Sequence, residues 1–222
     1  MSTVRPVDLS TDWPTIRPVD RANATASARS NRQFGPPKSE RKVNSNGAGD
    51  YPHSMPSPNL VISKIIGPES DVVLRNLSEH YCHDMSEWFE LDTDADGRYS
   101  YDTASVWGKG YDAYLARVGD LIAGFALVGS GGEWLGDVGA HDVHEFFVMR
   151  KFRRRGFGRR MAAFLWNEYP GEWLVRVLEA NAPAIAFWRG EISSYSLGSY
   201  REEQRIVNGR CWKFFRFVSN RA

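Results

Sequence analysis

The sequence predicts a mixed α/β domain over residues 60–222, with a mostly antiparallel sheet flanked by helices, and a disordered tail over residues 1–59. Three observations support this prediction. Short apolar segments with strand-like and helix-like spacing alternate from Leu60 onward. Two turn dipeptides, Gly119-Asp120 and Asn208-Gly209, join neighbouring strand-like segments as hairpins. The composition changes abruptly before residue 60.

The tail differs from the rest of the chain in the residues it contains. Residues 1–59 hold eight of the eleven prolines and one of the eight tryptophans, and they are dense in Ser, Asn and Arg. Such a segment cannot bury enough apolar surface to offset its conformational entropy. We therefore expect disorder there, either as a docking tail or, as we favour, as a dispensable extension.

The whole-chain composition excludes several classes of protein. No apolar run approaches the ~20 residues that a membrane span requires, and the N-terminus lacks the apolar stretch of a signal peptide. The two cysteines show no metal spacing, which favours a reduced, cytoplasmic setting. A net charge of +1 argues against a dedicated nucleic-acid binder.

The first half of the domain contains three strand-like segments and one helix-like segment. The strand-like segments are β-branched or apolar and end at glycine-containing turns, whereas the helix-like segment has apolar residues at helical spacing. In chain order they are the strand Leu60–Ile66, the helix Val72–Phe89, and the hairpin strands Tyr111–Val118 and Leu121–Val128.

The second half continues the alternation and ends in a second hairpin. Pro170-Gly171 ends its first helix. In chain order the predicted elements are the strand Val143–Met149, the helix Phe157–Tyr169, the strand Trp173–Leu178, the helix Ala182–Trp188, and the hairpin strands Tyr195–Arg205 and Cys211–Val218.

The most informative segment is the basic turn, Arg150–Arg160, which lies between a predicted strand and a predicted helix. Free N–H groups at a helix N-terminus bind anions, and the helix dipole favours negative charge there. Gly156 and Gly158 allow a close approach of the backbone, and the arginines add positive charge. The segment predicts a pyrophosphate site, although a solvated basic turn is the simpler explanation if it is taken alone.

Two motifs together indicate a family. The spacing Arg153-x-x-Gly156-x-Gly158 resembles the acyl-CoA signature of the GNAT acetyltransferase superfamily, Q/R-x-x-G-x-G/A. The segment Asn181–Trp188 resembles the superfamily's N-x-x-A-x-x-F/L-Y helix, which lies beside the pantetheine arm. The motifs come in the family's order, and the predicted elements of residues 60–222 are similar to the GNAT fold. The chain most resembles a branch of small predicted acetyltransferases.

The resemblance implies acetyl-CoA as the co-substrate, with no metal. Backbone groups at the end of the strand before the basic turn would bond the pantetheine arm, namely those of Phe146, Phe147 and Val148. The basic turn and the asparagine motif would supply the remaining contacts, from Arg153, Arg154, Arg155, Gly156, Phe157, Gly158, Arg159 and Asn181.

One motif position departs from the family. Trp188 stands where the superfamily usually has the tyrosine that protonates the departing CoA thiolate, and an indole N–H is not a useful acid. Another group, or solvent, would then supply the proton, or the chain binds acyl-CoA without turnover. Tyr195 and Tyr200 are nearby substitutes, but a structural tyrosine is the simpler explanation of each.

Amine acetylation also needs a base, because only the free amine attacks the thioester. In several superfamily members the base lies on the strand that here carries His144 and Glu145. Strand alternation would place only one of them at the acceptor cavity. We favour Glu145, which alternation puts on the side of Val143 and Phe147, although a structural salt bridge is an equal alternative for either residue.

The segment Glu69–Asp102 holds ten acidic and two basic residues, with five aromatic residues among them. In the GNAT fold this region builds the acceptor wall, so carboxylates and aromatic rings there would attract a cationic acceptor. A solvated helix face explains many of these charges equally well. Within the segment, Asp92–Gly97 imitates the start of an EF-hand loop, but Thr103 at the twelfth place cannot give the required bidentate carboxylate, which favours a polar turn.

The resemblance implies an N-acetyltransferase that transfers acetyl from acetyl-CoA to a primary amine of a small cationic acceptor in a ternary complex. We expect a monomer or a homodimer. Two alternatives remain: a non-catalytic acyl-CoA-binding or sensing protein, suggested by Trp188, and an RNA- or protein-directed acetyltransferase, suggested by the arginines.

Overall fold

The computed structural model of the protein describes residues 59–67, 70–99, 101–131 and 139–220. The predicted tail therefore lies, except for residue 59, outside the described residues. The elements in chain order are β1 (Leu60–Ile65), α1 (Asp71–Met85), α2 (Thr103–Gly108), β2 (Asp112–Val118), β3 (Leu121–Ser130), β4 (His141–Val148), α3 (Phe157–Glu168), β5 (Gly171–Leu178), α4 (Ala182–Tyr195), β6 (Tyr200–Val207) and β7 (Arg210–Ser219).

The seven strands form one sheet in the order β1-β2-β3-β4-β5-β7-β6. Every neighbouring pair is antiparallel except β4 and β5, which are parallel. This confirms the predicted mixed, mostly antiparallel sheet flanked by helices. The hairpins at Gly119-Asp120 and Asn208-Gly209 are also confirmed, and Asn208 and Gly209 both have the positive φ that such turns require.

The central parallel pair separates almost at once. β4 and β5 pair only through His141 with Trp173 and Asp142 with Leu174, near the start of both strands. Beyond these pairs the strands diverge, so the carboxyl-terminal half of β4 has a sheet partner on the β3 side alone. The sheet is therefore open between β4 and β5 towards their carboxyl ends.

A β-bulge interrupts β4 beside this opening. Leu127 of β3 lies opposite Glu145, whereas the next residue, Val128, lies opposite Val143, so His144 is the extra residue. The bulge breaks the strict alternation that the sequence predicts. Val143 packs in the cluster on one face of the sheet and Phe147 in the cluster on the other, so the expectation that Glu145 shares its side with both residues is wrong.

The core lies in layers on both faces of the sheet. On one face α3 and α4 pack through Met161, Trp166 and Ile192 against the strands. On the other face α1 packs through Leu74 and Leu77. Burying each large apolar side chain stabilises the fold by ~1.5–3 kcal/mol. This burial holds the helices against the sheet. Within the described ranges no helix is long and apolar enough to cross a membrane.

Three predicted boundaries are corrected, each by a packing contact. α1 ends at Met85 and not at Phe89, because Phe89 leaves the helix and packs with Trp212 of β7 at a centroid distance of 6.1 Å. α4 continues to Tyr195, which packs on Trp166 at 4.8 Å, so the strand predicted to begin at Tyr195 begins at Tyr200.

One helix was missed because it is short. α2 has six residues, too few for a helical period to show, and its local signal is Asp102, whose side chain accepts a hydrogen bond from the Ser105 N–H. A 3₁₀ turn over Arg150–Phe152, also missed, lies at the start of the basic turn.

Gly124 of β3 allows β3 and β4 to come close together. A Cβ built there would lie 2.1 Å from the backbone carbonyl oxygen of Phe147. Because the obstructing atom belongs to the backbone of β4, relief would require the two strands to move apart.

We therefore expect Gly124→Ala to lower the free energy of unfolding by about 3 kcal/mol, at the upper end of the cost of overpacking. The matched control is Gly190→Ala in α4, where a Cβ meets nothing within 4 Å. This substitution should stabilise the helix by about 0.5–1 kcal/mol, because Ala has a higher helix propensity than Gly. Denaturant unfolding measures both. Equal stability of Gly124→Ala and the wild type would contradict the close approach.

Candidate active site

A cavity lies where β4 and β5 separate. We call it the β4–β5 cavity. It is lined by side chains from both strands, from α1, from the start of α4 and from β7, namely Tyr81, Met85, Val143, His144, Glu145, Phe146, Val175, Arg176, Val177, Leu178, Asn181, Ala184, Trp188 and Trp212.

Arg176 occupies the vertex of the opening. It follows the last paired residue of β5 by two positions, and its side chain is only 3% exposed. Its guanidinium donates to the Asp142 carboxylate and also lies 3.4 Å from the carbonyl oxygen of His144. The Arg176 side chain thus links β4 and β5 beyond the point where their backbone pairing ends. A buried arginine is tolerated here because the carboxylate of Asp142, itself 1% exposed, neutralises it.

The same arginine sets the hydrogen-bonding state of His144. Nη2 of Arg176 lies 3.1 Å from Nδ1 of His144, and a guanidinium can only donate, so Nδ1 is the acceptor and the ring proton is on Nε2. The ring is further fixed by stacking on Tyr111 at a centroid distance of 4.2 Å. The ring nitrogen that could accept a proton therefore already accepts a hydrogen bond from a cation.

Glu145 is held by two phenols. It is 2% exposed, and its Oε2 accepts a hydrogen bond from the hydroxyl of Tyr81 in α1. Its Oε1 accepts from the Tyr101 hydroxyl at 3.3 Å. Burial raises the pKa of Glu145 above the ordinary value, and the two tyrosine hydrogen bonds and the charge of Arg176 only partly oppose the increase.

The bulge brings both candidate bases to one cavity. The prediction that only one of His144 and Glu145 faces the cavity is wrong, because the extra residue at the bulge allows both side chains to line it. Their different partners, and not strand alternation, distinguish the two residues.

The end of β4 presents backbone groups to the opening. The Met149 N–H donates to the Ala123 carbonyl, and the carbonyl of Phe147 also faces β3, so the backbone groups of Phe146 and Val148 face β5. The Val148 carbonyl accepts a hydrogen bond from Nε of Arg153 at 2.7 Å. Of the three residues predicted to bond the pantetheine arm, Phe146 and Val148 have their backbone groups towards the opening.

The basic turn leads directly into α3. Gly156 is the N-cap residue with φ of +75° and forms no side-chain cap, so the first N–H groups of a 12-residue helix face outwards. Arg154 also has a positive φ of 58°. Gly158 has a packing role in addition, since a Cβ there would lie 3.1 Å from the ring of Phe187 in α4.

Five of the six arginines of the basic turn divide into two groups. Arg150 and Arg153 form ion pairs with Asp84 of α1, and Arg159 pairs with Glu191 of α4 at 2.8 Å. Arg154 and Arg155 are exposed and have no carboxylate partner within the described part of the chain. The first group anchors the turn to the two flanking helices, and the second group is left for an anion.

Asn181 and Trp188 bring the second motif to the cavity. Asn181 is the N-cap of α4, and its Oδ1 accepts the Ala184 N–H at 3.0 Å, which leaves its amide NH₂ for a ligand. Trp188 is buried against Phe146, with ring centroids 4.8 Å apart. Neither suggested substitute acid lines the cavity. The Tyr195 hydroxyl bonds Asn167 and Ser219, and Tyr200 packs on Phe215.

Half of the ten acidic residues in the acidic segment have structural partners. The carboxylates of five of its residues accept hydrogen bonds from nearby groups: Asp71, Glu79, Asp84, Asp94 and Asp102. Asp94 holds a turn by accepting the N–H groups of Asp96 and Arg98, each at 2.9 Å. Among the described residues, no three His, Cys, Asp or Glu side chains are grouped to hold a metal ion.

Three residues of the cavity were missed as site residues. In the sequence, Tyr81 fits a helical pattern and an aromatic cluster, and Trp212 fits a hairpin strand, so neither pattern marks a site residue. Arg176 had a readable signal, since it is a single charge within the otherwise apolar segment Trp173–Leu178 and so predicts a buried ion pair.

Comparisons with known proteins agree with this geometry. The sequence model of the acetyltransferase (GNAT) family matches residues 76–190. The fold is similar to that of an acetyltransferase from Thermus thermophilus, with a TM-score of 0.53, 15% identity, and 74% of this chain and 99% of that chain covered. The ribosomal-protein-alanine N-acetyltransferase from Brucella melitensis gives a TM-score of 0.51 at 16% identity, with 71% and 99% covered.

A third structure, a Salmonella typhimurium protein with its cofactor acetyl-CoA, gives a TM-score of 0.50 at 15% identity, with 73% and 95% covered. At these identities the likeness shows the fold. No curated protein matches the sequence.

The anchor between Asp84 and the basic turn predicts a pH-dependent contribution to stability. Burial of Asp84 by itself would raise its pKa, but hydrogen bonds and charge from Arg153 and Arg150 outweigh burial and hold the pKa below the ordinary value. A carboxyl whose folded-state pKa is lowered stabilises the fold above its unfolded pKa, about 3.9, and the stabilisation is lost as the pH falls through the folded-state pKa.

Asp84→Asn should therefore lower the free energy of unfolding by about 1–2 kcal/mol at pH 7, and its difference from the wild type should shrink as the pH falls from 6 towards 3. Urea unfolding over this pH range measures the difference. Glu172→Gln, which removes a half-exposed partner of Arg216, is the control and should cost under about 0.5 kcal/mol. A constant difference for Asp84→Asn at every pH would contradict the ion pair.

Proposed function

Because the chain belongs to the acetyltransferase (GNAT) family, we propose that it transfers an acetyl group from acetyl-CoA to a primary amine of a small, cationic acceptor. The amine would attack the thioester directly in a ternary complex. The observation that carries this proposal is that the opening in the sheet lies close to the uncapped start of α3, since a Cβ on Gly158 would lie 3.8 Å from the side chain of Val148 at the end of β4.

The residues at this junction fit the parts of acetyl-CoA. The N–H groups of Gly156, Phe157, Gly158 and Arg159, with Arg154 and Arg155 beside them, suit a pyrophosphate. Arg153 would contribute by ordering the turn through Asp84 and the Val148 carbonyl. The backbone of Phe146 and Val148 and the amide of Asn181 suit the polar pantetheine arm, which would pass between β4 and β5.

The geometry favours Glu145 over His144 as the base. His144 has its Nδ1 lone pair engaged by Arg176, whereas Glu145 carries two acceptor oxygens and lines the same cavity. Burial raises the pKa of Glu145, which makes its carboxylate a better proton acceptor than an exposed glutamate. His144 would then donate from Nε2 and help to position ligands.

The residues that line the cavity, more than the acidic segment, favour a cationic acceptor. Five acidic residues of that segment are engaged elsewhere, but Tyr81 and Met85 from the same segment do line the cavity. Since Asp142 neutralises Arg176, Glu145 is the remaining carboxylate there, and Trp212 adds an aromatic face suited to a cation.

A second candidate function is favoured by one observation. The buried Trp188 replaces the family's tyrosine acid, which is what a non-catalytic acyl-CoA-binding protein would tolerate. An acceptor screen that follows free thiol release discriminates between the two functions. Tight acetyl-CoA binding without turnover on amines, aminoglycosides and peptides would favour the binding protein.

The cofactor site predicts a charge effect at the N-cap of α3. Asn and Asp have the same shape, and both tolerate the positive φ of Gly156. Gly156→Asp should bind acetyl-CoA about tenfold more weakly than Gly156→Asn, because its carboxylate faces the pyrophosphate. Titration calorimetry measures the two affinities, and equal affinities would place the pyrophosphate elsewhere.

The proposed base predicts a pH-dependent loss of turnover. Glu145→Gln keeps the shape and should leave acetyl-CoA affinity unchanged, while kcat falls by ~10²–10⁴-fold at neutral pH. The loss should shrink as the pH approaches the pKa of the amine, where free amine is abundant. Unchanged kcat at pH 7 would exclude Glu145 as the base, and an equal loss at all pH values would indicate positioning.

We further propose that residues 60–222 are the complete functional domain, acting in the cytoplasm as a monomer or a homodimer. A variant starting at Pro58 should keep the melting temperature and the acetyl-CoA affinity of the full chain. Thermal unfolding and calorimetry of both proteins measure this, and a substantial loss of either property would show that the first 57 residues contribute to the domain.

A further inference from the structure

The replacement of the family's tyrosine by Trp188 leaves open how the departing thiolate is protonated. Among the described residues that line the β4–β5 cavity, four can give or take a proton through hydrogen bonds: Tyr81, His144, Glu145 and Arg176. Arg176 stays protonated in proteins and is neutralised by Asp142. Tyr81 is the one tyrosine in this described lining.

Tyr81 and Glu145 share one hydrogen bond, and its direction depends on where the protons are. In the structure the Tyr81 hydroxyl donates to Oε2 of the carboxylate. If Glu145 takes a proton on Oε2, the carboxyl becomes the donor and the Tyr81 oxygen the acceptor. The hydrogen of Tyr81 is then free to point into the cavity.

Tyr101 holds the other carboxylate oxygen. Its hydroxyl donates to Oε1 at 3.3 Å, so each carboxylate oxygen accepts one tyrosine hydroxyl, and Oε2 is the oxygen that faces Tyr81. Tyr101 itself does not line the cavity. The two tyrosines therefore have different tasks, although both bond the same carboxylate.

We infer that Glu145 and Tyr81 form a proton relay that carries the proton of the amine to the sulfur of CoA, with Tyr81 as the catalytic acid in place of Trp188. The inference rests on the proposed transferase function. The amine nitrogen forms its bond to the acetyl carbon while the carbon–sulfur bond of the thioester breaks. Oε2 of Glu145 takes the proton by which the ammonium becomes the free amine, the Tyr81 proton passes to sulfur, and the Glu145 proton passes to the Tyr81 oxygen. The second proton that nitrogen loses on becoming an amide passes to solvent. The products are an amide and a thiol, and both side chains return to their starting state.

The electrostatics explain why the two residues must act together. Burial, and then the charge of Glu145, raise the pKa of Tyr81 well above its ordinary value. An alkyl thiol such as cysteine has a pKa of about 8.5, which is lower than that of Tyr81. Proton transfer from Tyr81 alone to a thiolate would therefore be unfavourable. Transfer becomes favourable when the protonated Glu145 replaces the proton that Tyr81 gives up.

Other titratable groups surround the pair. His144 and Arg176 face Glu145 from β4 and β5, and Tyr111 and Cys82 lie beside the tyrosines. Burial raises the pKa of the Cys82 thiol to about 12, so it stays protonated at neutral pH.

The test compares three Tyr→Phe variants by kcat, acetyl-CoA affinity and pH profile. Tyr81→Phe should lose ~10²-fold in kcat with unchanged acetyl-CoA affinity. Tyr101→Phe should lose less, and the acid limb of its profile should move to higher pH, because the lost hydrogen bond had lowered the pKa of Glu145. Tyr114→Phe is the control: its buried hydroxyl bonds Tyr169 at 2.7 Å on the other face of the sheet, and kcat should not change.

Two results would overturn the relay while leaving the transferase function intact. These are a kcat of Tyr81→Phe within about twofold of the wild type, or equal losses in Tyr81→Phe and Tyr101→Phe. If Tyr81→Phe does not fold, 3-fluorotyrosine at position 81 keeps the hydroxyl and makes it more acidic, so the basic limb should move to lower pH, and an unchanged profile overturns the relay. Acetyl-CoA binding without turnover by the wild type would instead remove the transferase function, and the relay with it.

Discussion

The separation of β4 from β5 is the constraint on which the rest of the site depends. Parallel strands that stayed paired would leave no room between them and would engage the backbone groups of Phe146 and the N–H of Val148. The pairing ends at Asp142, and the buried Arg176 fills the vertex by bonding Asp142 and approaching the carbonyl of His144. A buried ion pair adds little net stability, because both charges must be removed from water. Its role here is to end the pairing of β4 and β5 at one defined residue.

α1 links the two halves of the site that this opening creates. Tyr81 and Asp84 are less than one helical turn apart. Tyr81 donates to Glu145 in the cavity, and Asp84 pairs with Arg150 and Arg153 in the basic turn. A movement of α1 would therefore disturb the proposed proton transfer and the proposed pyrophosphate site together. The bulge at His144 contributes in the same way, because it turns both His144 and Glu145 towards the cavity.

Local patterns predicted the seven strands, the three long helices and the basic turn, but not the six-residue α2 or the contacts between distant residues. The hairpins followed from Gly119-Asp120 and Asn208-Gly209 because turn chemistry is local. The bond between Tyr81 and Glu145 joins residues 64 positions apart, and the bond between Arg176 and Asp142 spans 34 positions. A single sequence does not show which residue is the partner over such distances, even where a lone charge such as Arg176 signals that one exists, and it does not show a bulge, which depends on how two strands meet. The end of α4 was misjudged because the packing of Tyr195 on Trp166 decided it.

The most direct test of the account is a crystal structure of the protein with acetyl-CoA bound. The account predicts the pyrophosphate on the N–H groups of Gly156–Arg159 and the pantetheine arm between β4 and β5. We also expect the thioester sulfur to lie within hydrogen-bonding reach of the Tyr81 hydroxyl in that cavity. A cofactor bound outside the β4–β5 cavity, or a sulfur that only Trp188 and solvent can reach, would contradict it.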